Sequence, residues 1–421
     1  VEGLRAVAVL LVLLYHAGVP GLSGGYVGVD VFFVLSGFLI TSLLLRELDG
    51  TGTISLVSFY ARRARRLLPA ATVVLVATLI ASAVVLPAVR IQGVAVDVAS
   101  AAAYVSNMHF GLEANDYFEA SGPPSPVLHF WSLSLEEQFY LFWPTLVLML
   151  WRFRPSRHAI ATGIAALSLT SLVACIWLTD VNQPWAFYLL PTRAWELGAG
   201  ALLAVVPLAG HMPSRLRAPA VIGGLALIGV ASITFDNATV FPGFYAAVPV
   251  LGALLVIAGG MTSSNRASSA LGVAPLRYLG RISYSTYLWH WPMLVLIGAD
   301  FGPLHLSIPV VCLSLVAAAV TQALVESTFR DGFFIGRRPR ANLGQALASM
   351  LAVVVLATGA TAYGARQVEA TLGVLTPRPD DLDSHVWGWC LEVDDVMDPS
   401  KCVHGDAVGE RTVVLFGDSM A

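Results

Sequence analysis

The 421-residue chain has little charge: Asp, Glu, Lys and Arg make up 12% of it, whereas hydrophobic residues make up 57%. Soluble domains carry about 25% charged residues and roughly 45–50% apolar ones, so the charges here are too few to cover a soluble surface. Lysine is nearly missing, with Lys401 alone among 24 cations. Cysteine is limited to four residues. These shortages exclude a soluble enzyme, a coiled coil, a disordered chain and a DNA-binding module. No nucleic-acid partner is expected. The formal net charge of −3 says less than the way its components are distributed.

Apolar blocks of about 18 to 24 residues are what the chain has in abundance, separated by short Arg-bearing segments. Eleven candidate membrane spans are expected, near 4–22, 27–45, 67–89, 130–151, 159–178, 187–207, 218–235, 243–261, 283–300, 306–325 and 344–364. The stretch 93–110 is apolar but small-residue-rich, and either spans or re-enters. With the first span starting inside, inner segments collect 17 cations and outer segments six, which the positive-inside rule favours. The tail from Arg366 is then outside, with 11 acids against four cations. Arg5 and His16 make a signal peptide a poor reading of the first block, which is expected to be retained. The chain starts at Val1 and stops at Ala421 just after Gly417-Asp418-Ser419, so a fragment of a longer protein is expected.

Ionisable groups inside spans cost about 2.5 kcal/mol or more at the centre and are functional candidates by default. Arg5 and His16 are eleven residues apart, so one helix face carries both, about 16 Å apart along the axis. Alternatively Arg5 snorkels and His16 is a satisfied hydrogen-bonder between helices. The inner loop Arg62-Arg63-Ala64-Arg65-Arg66 ends at Pro69; its guanidiniums suit phosphates, either of a donor or of lipid headgroups, or they simply orient the protein. Glu136 and Glu137 near the start of the fourth span complement the helix dipole, while Gln138, two residues from Glu136, faces elsewhere. Asp30, the Arg193/Glu196 pair at i, i+3 spacing, His290 between Trp289 and Trp291, and Glu326 are further candidates. Arg193/Glu196 reads as a structural ion pair, and His290 as interfacial or catalytic. Cys175 and Cys312 fall in apolar spans. Cys390 and Cys402 share the outer tail, where a disulfide closing a short loop is expected. With only His404 nearby they do not complete a zinc set, and no metal site is expected.

Five motifs in order resemble the acyltransferase-3 family of bacterial membrane O-acyltransferases: Arg5-x10-His16, Gly28-Val29-Asp30-Val31-Phe32-Phe33-Val34-Leu35-Ser36-Gly37-Phe38, Arg63-x-x-Arg66, Trp131-Ser132-Leu133-Ser134-Leu135-Glu136-Glu137-Gln138-Phe139-Tyr140 and Tyr284-x-x-Tyr287-Leu288-Trp289-His290-Trp291-Pro292. The resemblance covers roughly residues 1–340. It implies an all-α polytopic membrane protein, with a domain of about ten helices in the bacterial cytoplasmic membrane. That domain takes an acyl group, usually acetyl from acetyl-CoA, at the cytoplasmic side and delivers it to an extracytoplasmic envelope glycan or glycolipid. Acetyl-CoA is a donor substrate, and no bound cofactor is implied; membrane lipid is the other expected partner. By position His16 is the catalytic His, Arg5 its partner and Glu136 the acid of the fourth-span motif. Arg63 and Arg66, flanked by Arg62 and Arg65, match the donor-side Arg motif. A weakly nucleophilic sugar hydroxyl needs a general base near neutrality, which histidine supplies.

The resemblance extends into the tail. Residues 341–366 form an additional span, 367–410 a linker with the expected disulfide, and 411–421 an apolar strand running into Gly417-Asp418-Ser419. That end looks like the first block of an extracytoplasmic α/β SGNH-type domain, with Ser419 as its nucleophile and a possible relay for the acyl group. The later blocks that would activate Ser419 are missing from this chain. A rival reading is a proton-coupled transporter or lipid flippase, against which no inverted repeat is seen. A membrane anchor for an outer hydrolase leaves Arg5 and His16 unexplained.

Overall fold

The computed structural model describes residues 1–115, 123–206, 212–261, 266–330 and 338–375, and every element among them is helical. Residues Val1–Ala365 form one compact unit, and the chain from Arg366 onward is divided from it. The first unit opens with α1 (Glu2–His16), then a 3₁₀ turn at Gly25–Val27, α2 (Gly28–Thr51) and α3 (Leu56–Val85). Two short helices, α4 (Ala88–Ala102) and α5 (Ser106–Glu113), precede α6 (Phe130–Phe153) and α7 (Arg157–Val181). Next come α8 (Gln183–Tyr188), α9 (Leu190–Val205), α10 (Ser214–Thr234), α11 (Ala247–Gly260) and α12 (Arg266–Leu271). The series ends with α13 (Ala274–Ile297), α14 (Leu304–Thr321), which runs through a π turn at Gln322–Glu326 into α15 (Ser327–Arg330), and α16 (Pro339–Leu375).

Lipid offers backbone groups no hydrogen bonds, so apolar chain of this composition has to satisfy them within helices. Among the described residues, six helical stretches are long and apolar enough to cross a membrane: Gly25–Thr51, Leu56–Val85, Arg157–Val181, Ser214–Thr234, Leu304–Arg330 and Pro339–Ala370. The other five expected windows also lie on helices, namely α1, α6, α9, α11 and α13, which are shorter or more polar. The window 187–207 is broken at Leu189, whose extended backbone precedes Leu190-Pro191 and splits it into α8 and α9.

Two local outcomes bear directly on the site. The Arg62–Arg66 segment, expected as a loop, is helical and lies in the first turns of α3, with Pro69 inside the same helix. Ala, Arg and Leu favour that conformation, and it sends consecutive arginines in different directions. Stretch 93–110 does not form one continuous helix: the chain turns at Tyr104, at φ 55°, between the 15 residues of α4 and the eight of α5. Asp97 on α4 then meets His109 on α5 at 2.7 Å, so the two helices make a hairpin.

Close helix contacts hold the site's framework. A Cβ on Gly37 of α2 would lie 1.8 Å from the Leu197 carbonyl of α9, and one on Gly200 would lie 1.9 Å from the Val34 carbonyl. Small residues at such crossings let two backbones touch, which is how packing substitutes for a hydrophobic drive in lipid. Helix α1 ends at His16, whose carbonyl accepts the Phe301 N–H at 2.9 Å, and Gly18 follows at φ +71°. That turn fixes His16 against the segment joining α13 to α14.

Candidate active site

Helix α1 carries Arg5 and His16 into two different cavities. Arg5 lines one of about 290 Å³, together with Arg46, Arg63, Arg66, Glu136 and Glu137. Four guanidiniums face two carboxylates there, so the chamber favours an anion. Arg63 donates to Glu137 at 3.1 Å, and its guanidinium stacks 3.7 Å from the centre of the Tyr140 ring. That contact orients a planar fork of the kind that grips phosphate. Glu136 accepts hydrogen bonds from the Ser36 and Tyr140 hydroxyls.

Of the four arginines expected at the donor, Arg63 and Arg66 line this chamber and the other two do not. Arg62 pairs with Glu47 at 3.0 Å on the exposed side, and Arg65 lines a separate groove with Pro69 and Asn342. This division follows from the helical form of the segment, because positions three apart share a face and adjacent ones do not. Arg46 was missed by sequence reasoning. Its signal was its spacing: Phe32, Ser36, Leu39, Leu43 and Arg46 recur along α2 at helical intervals and all line the chamber. Gln138 points away from it, donating to the Tyr104 carbonyl at 2.9 Å and to Asn107 at 2.8 Å, and so locks the tip of the α4–α5 hairpin to α6.

His16 lines the second cavity, of about 390 Å³, with Tyr15, Tyr26, His129, Gln183 and Trp291 among its walls. Val29 and Tyr287 line both cavities, so a thin partition separates them. Aromatic faces interleaved with amides and hydroxyls suit a neutral polar ligand. Behind His16 stands His290, fully buried and absent from the lining of either chamber. Its Nε2 lies 3.1 Å from His16 Nδ1, and its Nδ1 lies 2.6 Å from the Tyr287 carbonyl. His290 is therefore interior rather than interfacial.

A third histidine, His129, immediately precedes α6. Pro292 has no N–H, so the carbonyl four residues earlier, that of Leu288, lacks its helical donor. His129 Nε2 sits 3.1 Å from that carbonyl and takes the donor's place. Its Nδ1 is buried with no hydrogen-bond partner, and the ring lines the second chamber.

Asp30, Arg193 and Glu196 form a buried ion triad at the edge of this chamber. Arg193 meets Asp30 at 2.8 Å and Glu196 at 2.8 Å, with all three side chains at most 1% exposed. The i, i+3 pair expected within α9 is present, and Asp30 extends it to α2. A different triad lies on the hairpin, where Asp97, His109 and Glu113 place atoms of metal-capable types within 4.8 Å of one another. Both carboxylates converge on one ring nitrogen, at 2.7 and 3.1 Å. Hydrogen bonding to Asp97, then to Glu113, outweighs burial and pushes the His109 pKa up to about 10, so an imidazolium fills this cluster. Glu326 accepts from Ser285 near the end of α14. Cys175 and Cys312 are free thiols. Cys390, Cys402 and Ser419 lie outside the described residues.

These features define a helical membrane protein with a cationic chamber near one end of its first helix and an imidazole-lined chamber at the other. Residues 1–325 match the acyltransferase-3 family model, described as an acyltransferase domain, and the chain belongs to that family. It is 32% identical over 344 residues to "Peptidoglycan O-acetyltransferase OatA" of Listeria monocytogenes, covering 78% of this chain and 54% of that protein. It is 35% identical over 310 residues to "Putative peptidoglycan O-acetyltransferase YrhL" of Bacillus subtilis, covering 70% of this chain and 48% of that one. The chain thus spans about half the length of these relatives. No solved structure matches it.

Proposed function

We propose that this chain carries an acyl group, most simply acetyl, from an acyl-CoA at the Arg-lined chamber to a hydroxyl of an envelope glycan in the His-lined chamber. The observation that carries this reading is the partition itself. Two cavities of opposite chemistry meet at Val29 and Tyr287, and α1 places Arg5 in one and His16 in the other. The family and the names of its relatives support O-acetylation of a cell-wall glycan such as peptidoglycan.

The chemistry follows from where charge is tolerated. The nucleotide end of the donor is polyanionic and stays with Arg46, Arg63 and Arg66 on the inner side. Only its small thioester end approaches the partition, with Arg5 orienting it. His16 takes the proton from the glycan hydroxyl as the oxygen attacks the thioester carbonyl carbon. The C–O bond forms, the C–S bond breaks, and the CoA thiolate leaves and is protonated through His16. Alternatively His16 carries the acyl group for one step before the hydroxyl displaces it. Ser419 would be the next acceptor only in a chain that also supplies the rest of an SGNH-type domain.

The test uses purified protein in proteoliposomes with labelled acetyl-CoA on the Arg side and a soluble peptidoglycan-derived oligosaccharide on the other. Transfer of label is expected, and His16→Ala and Arg5→Ala should each lower it by roughly 100-fold or more, within the range general acid–base groups contribute. Retained transfer in a correctly inserted His16→Ala protein would refute the reading. Transport of the oligosaccharide without label transfer would favour the flippase alternative.

A further inference from the structure

We infer that His290 is a positioning residue that fixes which nitrogen of His16 carries the proton, through a relay that begins at a backbone carbonyl of α13. The inference rests on the functional reading above and assigns a role to a residue that touches neither chamber.

The Tyr287 carbonyl has lone pairs and no proton, so His290 Nδ1, 2.6 Å away, has to be the N–H donor. A neutral imidazole carries one proton, so His290 Nε2 is then a bare acceptor. His16 Nδ1 lies 3.1 Å from that acceptor, and only a protonated Nδ1 makes this contact a hydrogen bond. The remaining nitrogen of His16, Nε2, is thereby left with its lone pair. A general base or acyl-accepting nucleophile requires that state.

The surroundings hold the relay still. His290 is 0% exposed, so water does not compete for Nε2. Its ring stacks on that of His16 at 5.2 Å with 30° between planes, while Trp291 packs on the other ring at 4.6 Å. Without His290 the two tautomers of His16 would be set by solvent in the chamber, and a share of the molecules would present an N–H where the base is needed. The arrangement also stabilises the imidazolium that forms when His16 takes a proton, because His290 Nε2 still accepts from Nδ1–H.

The experiment compares His290→Leu, which removes the acceptor at similar volume, with His290→Gln, whose amide oxygen falls near the position of Nε2. Both are assayed as full chains in the labelled acetyl-CoA system, with His16→Ala alongside. His290→Leu is expected to lower kcat by about 100-fold while KM for acetyl-CoA changes little, since the residue is remote from the donor, and His290→Gln should recover most of the loss. Equal losses in both variants, a loss confined to KM, or no loss in His290→Leu would overturn the inference. If His16→Ala abolishes transfer while His290→Leu does not, the positioning role fails and the function stands; retained transfer in His16→Ala sinks the function itself. Should the variants fold poorly, magic-angle NMR of wild-type protein labelled with ¹⁵N-histidine decides: the relay demands a protonated Nδ1 and a bare Nε2 on His16, and the opposite tautomer refutes it.

Discussion

Arg193 is the largest fully buried side chain in the molecule among the described residues, and it is held between Asp30 and Glu196 at 2.8 Å each. Its surroundings are apolar, with the Phe33, Phe187 and Phe241 rings 5.4–5.8 Å from the guanidinium carbon. Removing it strands two buried carboxylates with no cation between them. Arg193→Met should therefore destabilise the fold by about 3–5 kcal/mol, read as a lowered melting temperature in detergent; an unchanged one would mean that the triad does not tie α2 to α9. The pair within α9 was legible from spacing, but Asp30 was not assignable to it. Asp30 is 163 positions away, and nothing local in a sequence says which of several lone acids shares a cation.

The α4–α5 hairpin shows the same limit among elements. Its apolar composition was plain, yet the break that folds α5 back on α4 falls at Tyr104, held in a left-handed conformation. Its polar content makes a pH prediction. The pKa of His109 is raised to about 10 in the folded protein, against an ordinary value near 6.5 in an unfolded chain. A raised histidine pKa favours the folded state in full below pH 6.5, and that contribution fades as pH climbs towards 10. Melting temperatures measured from pH 6 to 10 should fall more steeply for the wild-type protein than for His109→Asn, whose curve lacks this component. Parallel curves would show that the imidazolium does not brace the hairpin. Because Gln138 and Asn107 join the hairpin to α6, and Tyr104 lines the Arg chamber, loosening it should also be felt there.

Across the whole molecule, the two chambers matter more than either alone. Val29 and Tyr287 are the residues common to both, and under the proposed function only the acyl end of the donor passes them. Val29→Phe adds bulk to the partition without touching the arginines. It should lower acetyl transfer by roughly tenfold or more, equivalent to a barrier about 1.4 kcal/mol higher, while binding of CoA itself, followed by calorimetry, stays close to wild type. Loss of CoA binding in that variant would place the donor's path elsewhere. Arg46 is equally a whole-molecule feature: it belongs to none of the five motifs, and the folding of α2 against α3 and α6 brings it beside Arg63 and Arg66.

Several properties were fixed by the amino-acid sequence alone. A chain with 12% charge and repeated apolar blocks must form helices in lipid. Arg5 and His16 could be put on one helix face because eleven residues make three turns, a purely local relation. Tertiary structure decided the relations between distant residues. It put Arg63 and Arg66 in one chamber and Arg62 and Arg65 outside it, joined Asp30 to Arg193, and set His290 behind His16 across 274 positions. The reason is physical: helical periodicity is short-range and readable, whereas the partner of a buried polar group is chosen by packing, which depends on how all the helices cross.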